Sequence, residues 1–223
     1  MESINFKELS LSDIISMANE ENADAMNELG IRYDSGIGVE KDEKKAFELY
    51  YKASEKNCIK AKFNLAMCYL SGNGTELNEN LAFNILKELA EKYNHAKSYY
   101  YLGDFYYFGG PVEIDYKKSF YYYNEALKAN PNHLRAKFAI ALAYYAGKGV
   151  ERNYENAFNL FEELVKDNYT DAYFYLAELY YLGKSTHQDY ELPFDKYIKA
   201  FIYFYEALKY DKRKKIYMLP SII

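Results

Sequence analysis

The chain has 223 residues, half of them apolar and 27% charged, which excludes a disordered polar chain and fits one domain or one repeat array. A formal charge of −5 and a pI of about 5.4 argue against general nucleic-acid binding, which needs a basic surface to displace phosphate counterions. No apolar run approaches the ~20 residues that span a bilayer, and MESINFKELS lacks the basic start and apolar core of a secretory leader.

A cytoplasmic protein is therefore expected. Cys58 and Cys68, the only cysteines, would lie about 15 Å apart along one helix, too far for a disulfide. Tyrosine is abundant at 28 residues while tryptophan is absent. An AT-rich coding sequence and a need for large amphipathic contact surfaces both account for that bias.

In chain order, LSDIISMAN (11–19) reads as a lone amphipathic helix. After it, one pattern returns five times: AMNELGIRYDSGIG from 25, AKFNLAMCYLSGNG from 61, SYYYLGDFYYFGGP from 98, AKFAIALAYYAGKG from 136 and AYFYLAELYYLGKS from 172. Each has a small residue, an aliphatic four later, Gly or Ala next and a Tyr three beyond. The tyrosines are Tyr33, Tyr69, Tyr106, Tyr144 and Tyr180, each followed three residues later by glycine. A second segment repeats as well, marked by Ala46–Phe47, Ala82–Phe83, Ser119–Phe120, Ala157–Phe158 and Ala200–Phe201. This pair starts 13 residues after the Tyr in the first four repeats and 20 after it in the fifth, an insertion of seven within 183–199.

Spacings of three and four are helical. Each unit is thus a pair of antiparallel helices, A and B, that cannot bury its apolar faces alone. The expected fold is all-α: a right-handed α-solenoid of about five helix pairs with capping helices at both ends. The expected domain is a single repeat array over 1–223. Residues 1–24 form its N-terminal cap, the repeats cover 25–60, 61–97, 98–135, 136–171 and 172–210, and 211–223 form a tail or cap.

The stretch DSGIGVEKD (34–42) raises the question of a phosphate-cradling loop. Such a loop would lie between a strand and a helix, with a Lys-Ser or Lys-Thr nearby. Here Gly36 and Gly38 follow helix A, where a C-terminal cap favours positive φ. Asp42 precedes helix B, with Asn78, Asp115 and Asn153 at the same offset, all good N-caps. The stretch is read as a hairpin.

The small-x3-Leu-Gly-x2-Tyr-x2-Gly-x-Gly-Val start and the Lys-Ala-Phe of helix B resemble the Sel-1-like repeat (SLR) family, a branch of the tetratricopeptide-like helical repeats. The resemblance covers roughly 20–210. Departures are Ala66, Ala141 and Ala177 for the Gly after Leu, and Pro111 for a loop glycine. Ser54 and Lys62 stand about where some secreted members carry paired cysteines, so that framework is absent. The resemblance implies a non-enzymatic scaffold or adaptor that binds protein or peptide segments on the inner face of its A helices, with no cofactor.

That inner face is the side opposite the stripe Ala25, Leu29 and Tyr33. It starts with Asn27, Ile31 and Asp34 and continues through Phe63, Met67 and Leu70; Tyr100, Asp104 and Tyr107; Phe138, Leu142 and Tyr145; Phe174, Glu178 and Tyr181. Two readings stay open. The aromatic row is either an apolar groove with acidic points at Asp104 and Glu178, suited to a segment bearing apolar anchors plus Lys or Arg, or inner core buried by superhelical curvature. The expected binding residues are Phe63, Met67, Tyr100, Asp104, Tyr107, Phe138, Tyr145, Phe174, Glu178 and Tyr181.

Other constellations are weaker. Cys58, His95 and His133 occupy equivalent positions, but equivalent residues of successive repeats lie too far apart to share a metal. His187 with Asp189 makes no triad, Glu162–Glu163 is solvated charge, and the basic run KYDKRKK (209–215) suits a helix terminus. No catalytic or metal site is expected. The alternatives in other classes are a nucleic-acid-binding helical repeat, a hydrolase, and self-assembly into a homo-oligomer through the aromatic surfaces.

Overall fold

The computed structural model describes residues 5–6, 8–184, 198, 201–203 and 205–206. Most of the insertion, including His187 and Asp189, lies outside the described residues, as do the basic run and the C-terminal segment. Among the described residues all regular structure is helical: α1 (Leu11–Asn19), α2 (Ala23–Ser35), α3 (Glu43–Glu55), α4 (Ile59–Ser71), α5 (Glu79–Tyr93), α6 (Ala96–Phe108), α7 (Tyr116–Ala129), α8 (Leu134–Ala146), α9 (Tyr154–Lys166) and α10 (Thr170–Tyr181). These are the repeated helix pairs of an α-solenoid. α2, α4, α6, α8 and α10 are A helices, and α3, α5, α7 and α9 are B helices. Two compact units result, Met1–Ile114 and Asp115–Ile223.

Local chemistry explains each boundary. Ser10 caps α1 in a reciprocal capping box with Asp13. The side chains of Asp42, Asn78, Asp115 and Asn153 accept from backbone N–H groups in the first turns of α3, α5, α7 and α9. The constant nine-residue offset from the Tyr also has a cause. The N–H of Asp42, Asn78 and Asn153 donates to the carbonyl of Tyr33, Tyr69 and Tyr144 at 2.8–2.9 Å, closing the hairpin.

The return turns from B to A use a device the sequence reading missed. Asn57, Asn94 and Asn168 adopt left-handed backbone with φ between 50° and 62°, which asparagine tolerates better than most residues. The residues that follow, Cys58, His95 and Tyr169, are the N-caps of α4, α6 and α10. His133 caps α8 through Nδ1, which accepts from the Ala136 N–H at 3.2 Å. The histidine column is therefore punctuation between helices.

Packing follows the repeat. Ala25, Ala61, Ser98, Ala136 and Ala172 are fully buried, as are Ala46, Ala82, Ser119 and Ala157 to within 2% exposure, so A and B helices approach closely through small residues. The phenylalanine beside each small B-helix residue meets the repeat tyrosine of the next A helix edge to face. Ring centroids are 5.6 Å apart for Phe47–Tyr69, 6.3 Å for Phe83–Tyr106, 5.4 Å for Phe120–Tyr144 and 5.2 Å for Phe158–Tyr180. Each such pair adds about 0.5–1.5 kcal/mol beyond the area it buries. Phe201, the fifth of the series, is 72% exposed.

Lys62 to Glu88 (3.0 Å) and Lys137 to Glu163 (2.9 Å) are equivalent ion pairs that tie an A helix to the B helix of its own repeat. Both cysteines are buried and free, as their spacing predicts. Burial pushes the Cys68 thiol up to about 11.

Ser119 breaks the alanine rule at a cost. Its buried hydroxyl has no hydrogen-bond partner, whereas Ser98, the other serine at a small-residue position, is paired with His95 Nδ1 at 2.9 Å. Ser119→Ala is expected to stabilise the fold by about 1 kcal/mol, because it removes a buried unsatisfied polar group. Chemical denaturation should show the midpoint rising with unchanged slope. A fall in the midpoint would mean that the hydroxyl is satisfied in solution.

Candidate partner-binding surface

In unit 1, the expected inner-face residues Phe63 and Met67 lie on α4, and Tyr100, Asp104 and Tyr107 on α6. All five are half-buried. The small-residue stripe has gone to the core between A and B helices, and these side chains point elsewhere without being lost to solvent. The Phe63 ring lies 5.1 Å from the His95 ring and 6.0 Å from Tyr101, and the Lys97 ammonium sits over it at 5.5 Å. Tyr107 meets Phe108 edge on at 4.7 Å, and Phe108 is 72% exposed.

At the start of this row the face is closed. Asn27 is buried and accepts from Asn64 Nδ2 at 2.9 Å, a hydrogen bond between successive A helices. The row is closed there because two amides satisfy each other, and helical phase alone does not announce such a partner.

Unit 2 carries an aromatic cluster. Phe138 on α8 is 5.1 Å from Tyr169, 5.7 Å from Tyr175 and 5.9 Å from Phe161. Tyr145, also on α8, is 5.6 Å from Tyr175 and 5.8 Å from Tyr154. Tyr175 in turn stacks on Phe161 at 5.3 Å with the rings 11° from parallel. Phe138 and Tyr145 are thus half-buried members of an aromatic cluster keyed by Tyr175 and Phe161, residues the sequence reading did not single out. Only their spacing on neighbouring helices connects them, and no motif marks it.

On α10, Phe174 meets Tyr175 edge on at 5.3 Å, Glu178 is half-buried, and Tyr181 is 55% exposed. The Glu178 carboxylate acts on the Tyr145 phenol, so this acidic point already has a tyrosine neighbour. Desolvation first, and that carboxylate second, push the Tyr145 phenol well above the usual tyrosine range. Loop cations complete the edge of this unit. Lys148 lies over the Tyr116 ring at 4.8 Å and Lys184 over Tyr154 at 5.5 Å, equivalent contacts between a loop and the preceding B helix.

The Sel1 repeat model matches five segments, residues 23–58, 59–94, 96–131, 134–168 and 170–209. The chain belongs to the Sel1 repeat family. A Sel1 repeat protein from Oxalobacter formigenes, known from its crystal structure, is 27% identical with a TM-score of 0.73; the match covers 88% of this chain and 76% of that one. The c5321 protective antigen of uropathogenic Escherichia coli strains, which displays an SLR fold, is 24% identical with a TM-score of 0.74. That match covers 88% of this chain but only 40% of the antigen, so the likeness carries the fold alone. No curated protein matches in sequence. Sel1 repeats are a non-catalytic scaffold fold whose members generally mediate protein–protein interactions. No helix among the described residues of this Sel1 chain is long and apolar enough to cross a membrane.

Burial of phenols gives the Sel1 array a pH limit. Burial raises Tyr50, Tyr69, Tyr145 and Tyr169 above the usual range and pushes Tyr180 up to about 12. A raised phenol favours its neutral form in the fold. Its stabilising contribution is complete below the unfolded value of about 10 and is lost as pH climbs through the folded value. Helicity by circular dichroism is expected to fall between about pH 10 and 12. Tyr180→Phe, which keeps the ring against Phe158, should hold its helix to higher pH than wild type. Coincident alkaline transitions for the two proteins would reject ionisation of Tyr180 as the cause.

Proposed function

We propose that this Sel1 protein is a non-enzymatic adaptor that captures a protein or peptide segment on the half-buried aromatic row of its A helices. One observation carries the reading. With the A–B core filled by small residues and leucines, Phe63, Met67, Tyr100, Tyr107 and Tyr181 still present apolar surface. Partly exposed aromatic side chains in a row are a common basis of protein recognition, because they offer large contact area at low entropic cost. Asp104 and Glu178 add acidic points to it.

The packing selects the residues for the test. A charge at Phe138 would enter the Phe161–Tyr169–Tyr175 cluster and damage the fold, whereas Tyr181 is 55% exposed. Affinity capture from native cell lysate should retain a discrete protein on the wild-type chain. Tyr181→Asp is expected to lower capture at least about tenfold while the melting temperature stays within about 2 °C. Undiminished capture by Tyr181→Asp would remove the support for this surface.

A further inference from the structure

We propose that this chain pairs with a second copy of itself through its own basic segment. Residues 209–219 of one copy, KYDKRKKIYML, dock on the second and third A–B hairpins of the other, where exposed Leu77, Phe108 and Ile114 lie among Glu76, Glu79 and Glu113.

The hairpins supply an apolar surface. Leu77 and Ile114 each stand eight residues after their repeat tyrosine and are 61% and 54% exposed. In the first and fourth hairpins that place belongs to a cation already satisfied nearby, Lys41 on Glu43 and Arg152 on the Ala146 carbonyl. Ile114 folds back over the end of α6, 3.3 Å from where a Cβ on Gly109 would stand, and the preceding Phe108 is 72% exposed. The third hairpin abuts the second, because the Glu79 carboxylate, two residues past Leu77, lies 2.8 Å from the would-be Cβ of Gly110. Large apolar side chains exposed on adjoining turns mark a surface for a partner.

Charge selects the occupant. Glu76 and Glu113, each seven residues after its tyrosine, and Glu79 are all exposed, and among the described residues none of them makes a hydrogen bond or ion pair. No Lys or Arg occurs in 63–86 or 98–116, so nothing within these stretches offsets them. A fitting ligand is therefore cationic with apolar side chains beside the charge. Segment 209–219, which lies outside the described residues, has that composition. It sets five Lys or Arg against Asp211, four of them consecutive at 212–215, and continues with Ile216, Tyr217, Met218 and Leu219. Each copy carries one hairpin surface and one such segment. A reciprocal exchange fills both surfaces, and the second contact forms within an existing pair.

Sedimentation of the full chain over a wide concentration range tests this. The mass is expected to double on concentration, and the dimer to weaken as salt rises. Glu76→Gln with Glu113→Gln should weaken the dimer at least about tenfold, and so should Leu77→Ser with Ile114→Ser. Both pairs are exposed, so melting temperatures should stay within about 2 °C of wild type. Replacing Lys212, Arg213, Lys214 and Lys215 by Gln together should weaken the dimer as much. Glu48→Gln with Glu55→Gln, two exposed charges on α3, should change it less than about twofold.

An equimolar mixture of the hairpin-glutamate and basic-run variants should associate more tightly than either alone, since one intact surface then meets one intact segment. A chain that stays monomeric throughout overturns the proposal. So does a dimer that survives either hairpin pair, which would put the contact elsewhere, and so does equal loss from the α3 pair, which would mark diffuse attraction. A mixture no tighter than its components overturns docking between copies.

Discussion

Truncating Phe158 to alanine is expected to destabilise unit 2 by about 3–5 kcal/mol, the range for removing a fully buried phenylalanine. Phe158 has no exposed surface, belongs to the cluster with Phe161, Leu164 and Leu176, and meets Tyr180 of the next A helix edge on at 5.2 Å. Removing it therefore empties the α9–α10 joint as well as costing transfer free energy. Phe201→Ala supplies the contrast within one chain. It deletes the equivalent side chain of the fifth repeat where that side chain is 72% exposed, and is expected to change stability by less than about 0.5 kcal/mol. Equilibrium urea denaturation of the two variants checks both values. Similar losses would show that the phenylalanine matters for its own helix and not for the joint between repeats.

The second large effect is at Gly149. This glycine holds φ at +78°, and a Cβ there would overlap the carbonyl of Tyr116, the first residue of the preceding B helix. Backbone cannot rotate away as a side-chain tip can. Gly149→Ala is thus expected to cost more than about 3 kcal/mol, combining the left-handed penalty with forced separation of the two repeats. Gly74 stands in the same relation to Glu43 of α3. Gly38, at the equivalent place in the first repeat, has φ +75° but nothing within 4 Å of its would-be Cβ. Gly38→Ala should cost only the conformational part, about 1 kcal/mol. Thermal denaturation should therefore rank Gly149→Ala far below Gly38→Ala. Equal melting temperatures would reduce the second loop glycine to a turn residue with no part in the joint.

This contrast also changes the meaning of DSGIGVEKD. Its glycines and Asp42 are readable from sequence as a hairpin, and Gly36 and Asp42 do end α2 and begin α3. What Gly38 shares with Gly74 and Gly149 is a position. Only the latter two use the missing Cβ to admit the backbone of an earlier helix.

Much of the array is legible without coordinates because its information is local. The period, the α1 cap over 11–19, the four N-caps and the unpaired cysteines depend on helical phase, hydrogen bonding within a turn or two, and distance along one helix. The inner-face residues are legible only as a direction. A phase of 100° per residue says that Asn27, Phe63 and Phe138 point away from the stripe of Ala25 and Leu29. It says nothing about what awaits them.

By itself, then, the sequence determined the all-helical repeat, its punctuation and the identity of the residues on each helix face. Tertiary structure alone decided that Asn27 closes against Asn64, that Tyr175 and Phe161 absorb Phe138 and Tyr145, and that each B-helix phenylalanine covers the tyrosine of the repeat after it. The physical reason is that burial of a side chain depends on the sizes of residues contributed by two or three different helices. No periodicity within one helix records those sizes.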